Sequence, residues 1–76
     1  MVDLVKRDEK DLLTTARKRL GLTQQQVADK AQIAIQHYQM FEGGRRKLLS
    51  ASFSTTTRVL EALELDSTTF ANGGYF

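Results

Sequence analysis

Gln36, Gln39 and Met40 recur three and four residues apart within Ile35 to Glu42, a spacing that gathers them on one side of a helix turning about 100° per residue. Tyr38 and Phe41 fall on the opposite side, and Ile35 is expected at the exposed N-terminal end. A glutamine amide carries a donor beside an acceptor, the pattern that matches adenine in the major groove, and an apolar Ile35 or Met40 can touch a thymine methyl. The plain alternative is a solvated polar face. Other chemistry is poorly supplied. His37 is the single histidine and there is no cysteine, so no zinc set or activated nucleophile can be assembled. His37 reads instead as a flank residue that can donate to a phosphate. Glu61 and Glu64 read as a solvated helix face rather than an acid–base pair. No enzyme activity, metal or cofactor is expected.

The elements that must hold this face are legible from caps and periodicity. Thr23 is a good N-cap and Gln26 completes a capping box, with Leu22 and Val27 as the hydrophobic staple. The helix that follows spans about 24–31, with Val27, Ala28 and Ala31 as its apolar stripe. About three residues later a second helix runs from near Ala34 to Glu42, turning Tyr38 and Phe41 inward with Ile33 and Ala34; Gly43-Gly44 supplies a left-handed stop. A preceding helix over about 8–20 buries Leu12, Leu13, Ala16 and Leu20 and ends at Gly21. Ser52 caps a later helix over about 53–63 whose inward residues are Phe53, Val59, Leu60 and Leu63, although Ser54-Thr55-Thr56-Thr57 is a weak helical start. Asp66 caps a short final helix, about 67–71, with Phe70 beside Leu65, closed by Asn72-Gly73-Gly74.

Charge is unevenly spread. Residues 17–58 hold eight basic side chains against two acidic, a local +6, whereas the flanks hold three against seven, a local −4, within an overall +2. Arg45-Arg46-Lys47 directly follows the glutamine-bearing helix, where a phosphate backbone would run beside the groove, and arginine can grip phosphate oxygens through two parallel bonds. A basic middle between acidic ends suits one face of a nucleic-acid binder.

With 76 residues the chain amounts to one domain, close to the size where dimerisation adds needed stability. The expected division is an N-terminal segment at 1–7, a domain at 8–72 and an aromatic tail at 73–76. No strand alternation, repeat, membrane span or signal segment is visible, and a cytoplasmic, nucleoid-associated setting is expected.

Leu13-x-x-Ala16-Arg17-x-x-Leu20-Gly21-Leu22-Thr23-Gln24-x-x-Val27-Ala28, followed by Ile33, Tyr38, Phe41-Glu42 and Gly44, resembles the phage repressor and Cro family of helix-turn-helix domains, also called XRE-type, over roughly residues 10 to 71. The resemblance implies an all-α, compact, five-helix lambda-repressor-like domain whose third helix lies in the major groove, paired on an operator with two-fold symmetry. It places Gln24 on a phosphate, puts Ile35, Gln36, Gln39 and Met40 at base edges, and makes Arg17 and Glu42 a buried ion pair tying the first helix to the third. The chain departs from the family pattern at Gln32, where glycine is usual, at Ala34, where a Ser or Thr cap is usual, and in a loop from Gly43 to Ser52 that is about three residues longer and lacks proline.

The reading that follows is a sequence-specific double-stranded DNA-binding regulator, a homodimeric repressor that works by occupying a promoter. Two alternatives share the same domain: the antitoxin of a toxin–antitoxin pair, binding DNA and a toxin, and a protein-interaction module. The Gly74-Tyr75-Phe76 tail is placed at a subunit interface or left frayed with equal weight.

Overall fold

Among the described residues each α-helix is followed by a residue in left-handed backbone, and only two of those four residues are glycines. The computed structural model describes residues 9–65, which form α1 (Glu9–Arg19), α2 (Gln24–Ala31), α3 (Ile35–Glu42), a 3-10 turn at Leu48–Ser50, and α4 (Phe53–Ala62). No strand occurs among them. The all-α class and the helix order agree with the sequence reading, with four α-helices in this span. The proposed fifth helix at 67–71, its Asp66 cap and Phe70, the N-terminal segment and the aromatic tail lie outside the described residues.

The stops share one geometry. After α1, the Gly21 and Leu22 amides donate to the carbonyls of Lys18 and Arg17, at 3.0 and 3.1 Å. Gln32 and Ile33 repeat the pattern after α2, Gly44 and Arg45 after α3, and Glu64 and Leu65 after α4. In this Schellman closure the pivot residue takes positive φ, observed at +71°, +59°, +79° and +57° for Gly21, Gln32, Gly44 and Glu64. Gly43, expected to share the left-handed stop, is right-handed at φ −83°, and Gly44 alone makes the turn. Gln32 and Glu64 adopt a conformation in which a Cβ costs about 1–2 kcal/mol relative to right-handed backbone.

At the start of α2, the Thr23 hydroxyl accepts from the Gln26 amide at 3.0 Å and the Gln26 side chain accepts from the Thr23 amide at 2.8 Å, completing the capping box. Ala34 precedes α3 in extended backbone with no side-chain cap. It was expected to turn inward but is exposed, because the chain has not yet entered the helix there.

α2 is the hub, packing against both α3 and α4, and α3 also packs on α1. The core joins Leu12, Leu13 and Ala16 of α1, Val27, Ala28 and Ala31 of α2, Tyr38 and Phe41 of α3, and Val59, Leu60, Ala62 and Leu63 at the far end. Leu20, assigned to the α1 stripe, is only half-buried. Phe53 is a larger correction, since it is 86 % exposed instead of turned inward. Projected back at 100° per residue, the centre of the Val59, Leu60 and Leu63 stripe falls on Thr56, and Phe53 lies about 75° to one side. The Thr56 hydroxyl donates to the Leu48 carbonyl at 2.9 Å, and Leu48, a loop residue that periodicity did not mark, is fully buried.

Candidate nucleic-acid interface

The site is built on α2, a three-residue turn at 32–34, and α3. Buried Tyr38 and Phe41 fasten one side of α3 to the core, so the opposite side faces outward. Gln36, His37 and Gln39 are exposed there and Met40 is half-buried. Gln36, Gln39, Met40 and Arg45 together line a shallow open depression. Ile35, expected to be exposed, is half-buried and packs against the core, because it begins the helix beside Ile33, which packs there too. Of the four residues assigned to base edges, Gln36, Gln39 and Met40 are therefore adjacent on the outer face, and Ile35 lies at its margin.

The cations follow directly. Arg45, Arg46 and Lys47 are all exposed, placed by the tight stop at Gly44. A Cβ on Gly44 would lie 3.0 Å from Cδ of Lys10, so the α1 lysine reaches this loop from a segment the charge count assigned to an acidic flank. Arg58, by contrast, is drawn inward from the basic middle: its Nε donates to the Ala31 carbonyl at 2.9 Å, closing the end of α2, and its Nη1 donates to the Ser54 hydroxyl at 2.7 Å. Composition cannot separate a cation that caps a helix from one that faces solvent.

Beneath the outer face lies the Arg17–Glu42 pair. Nε of Arg17 meets Oε2 of Glu42 at 2.6 Å and Nη2 meets Oε1 at 3.1 Å, while Nη1 donates to the Leu22 carbonyl at 3.0 Å. The two side chains are 15 % and 4 % exposed. Glu42 also accepts from the Thr14 hydroxyl, the Tyr38 hydroxyl and the Gln24 amide. Burial works against the Glu42 charge, but donation from Arg17, Tyr38 and Gln24 outweighs it and holds the carboxyl below its ordinary range. The bond to Glu42 raises Arg17 in turn. Burial, reinforced by Glu42, pushes the Tyr38 hydroxyl well above its usual value, so it stays protonated and donating. No buried side-chain nitrogen or oxygen among the described residues lacks a partner.

Gln24, assigned to a phosphate, is half-buried and links the two layers. Its Nε2 donates to Glu42 at 3.0 Å and its Oε1 accepts from Nε2 of Gln39 at 3.2 Å, leaving one amide hydrogen unused. Sequence reasoning missed this bridge, because Gln24 and Gln39 are brought together only by the packing of α2 on α3. Among the described residues no group of His, Asp and Glu is placed to hold a metal, and no helix is long and apolar enough to cross a membrane.

Residues 11–75 match the helix-turn-helix domain family, and the chain belongs to it. The match covers the two-helix unit, the ion pair and the basic loop, and agrees with the XRE-type resemblance carried by Leu13 to Gly44. No curated protein matches the chain.

Proposed function

We propose that the protein is a sequence-specific double-stranded DNA-binding regulator, with α3 in the major groove. The single observation that carries this reading is the outward face of α3, where Gln36, Gln39 and Met40 border one depression with Arg45. Amides there have no core to join, and a cation stands where the phosphate backbone flanks the groove. In this reading Gln36 and Gln39 meet base edges, with Met40 and the margin residue Ile35 against thymine methyls. Arg45, Arg46 and Lys47 hold phosphates, joined by His37 and by the remaining amide hydrogen of Gln24.

Two copies of a domain this small bind a two-fold symmetric operator, and repression follows from occupying a promoter in the cytoplasm. Selection of bound sequences from a random duplex library tests the reading, paired with anisotropy titrations at low and moderate salt. The expected result is a two-fold symmetric consensus with affinity that falls steeply as salt rises. Flat salt dependence and no enriched sequence would refute it and leave the protein-interaction alternative.

A further inference from the structure

Gln39 and Gln36 share the outer face but differ in freedom. The Gln36 side chain has no hydrogen-bond partner among the described residues, whereas the Gln39 amide is held from below by Gln24. The direction of that hold is dictated at the far end. A carboxylate only accepts, so Gln24 must turn its nitrogen toward Glu42 at 3.0 Å. Its oxygen then faces Gln39, which must answer with its own nitrogen, at 3.2 Å. What Gln39 presents outward is one N–H and one carbonyl oxygen in a single order. Glu42 cannot reverse this order, because neither carboxylate oxygen can donate, and Arg17 and Tyr38 hold the group in place.

Order matters at a base edge. Across the major groove an A·T pair shows acceptor then donor on its adenine, T·A shows the same groups reversed, and guanine shows two acceptors. A freely turning amide can answer A·T or T·A by flipping. We propose that Glu42, acting through Gln24, fixes the direction of the Gln39 amide, making Gln39 a one-way reader that accepts A·T while rejecting T·A and G·C. In this scheme Glu42 and Gln24 are positioning residues, and Gln36 is the more permissive reader. The proposal rests on the duplex-reading function above.

The test uses the full chain and two variants, each with its own readout in the free and DNA-bound states. Gln24→Met removes the bridge and leaves the Arg17–Glu42 pair in place. Glu42→Gln replaces a group that only accepts with one that can face either way. In the free wild-type protein, the Gln39 side-chain amide is expected to show one ordered, hydrogen-bonded proton by NMR. Both variants release it, while the Gln36 resonances stay put. In duplex selection the wild type prefers A·T over T·A at one position per half-site by roughly tenfold, the order of discrimination a bidentate pair supplies. Gln24→Met brings that ratio close to one; loss of its neutral phosphate contact lowers affinity for all duplexes alike and leaves the salt slope unchanged. A wild type that selects sequences but has a freely turning Gln39, or a Gln24→Met protein that keeps full A·T preference, overturns the proposal alone. A wild type that enriches no sequence overturns the DNA-reading function and takes the proposal with it.

Discussion

Replacing Arg17 with alanine removes three hydrogen bonds at once, two of them to a carboxylate that is 4 % exposed. Truncating one member of a buried pair costs about 3–5 kcal/mol, since the other charge is left without compensation. Glu42 keeps Thr14, Gln24 and Tyr38 as donors, which argues for the lower end, about 3 kcal/mol. For a domain of this size each kcal/mol shifts Tm by roughly 4–8 °C, so the expected fall is about 12–24 °C.

The same pair sets a pH dependence whose sign follows from the lowered Glu42 carboxyl. A depressed carboxyl contributes stability above its unfolded value, about pH 4.3, and that contribution is lost as pH falls through its folded value. The difference between wild type and Arg17→Ala should therefore be largest near neutrality and narrow in acid. Thermal unfolding followed by circular dichroism from pH 7 to pH 3 measures both. A Tm within about 4 °C of wild type at pH 7 would show that the pair is energetically a surface contact, worth about 0–1 kcal/mol, and would refute the reasoning.

Leu48→Ala, at a fully buried loop residue that periodicity does not mark, should cost about 2–5 kcal/mol in urea unfolding, while Phe53→Ala, at a residue expected in the core, should stay within about 0.5 kcal/mol because its ring is 86 % exposed. Gln32→Gly should stabilise the domain by about 1 kcal/mol, relieving the Cβ held at φ +59° at the turn between α2 and α3, read as a raised urea midpoint. Arg46→Ala should weaken binding to all duplexes alike and flatten the log-affinity against log-salt slope by about 0.9 if one phosphate contact is lost; base-pair preference in the same anisotropy series should not change.

Local chemistry carried much of this protein in its sequence. The Thr23–Gln26 capping box, the α2 stripe and the inward Tyr38 and Phe41 depend on residues within one or two turns of each other, so spacing alone defines them. The outward position of Gln36 and Gln39 follows from the same arithmetic. Only tertiary structure decided the rest, because those choices are made by atoms distant along the chain. Leu48 enters the core and Phe53 leaves it since α4 meets the loop at Thr56. Arg58 becomes a cap because the end of α2 lies beside α4. The path from Gln39 through Gln24 to Glu42 exists because α2 packs on α3 in a way that no one-dimensional pattern encodes, and a hydrogen bond needs its partners within about 3 Å.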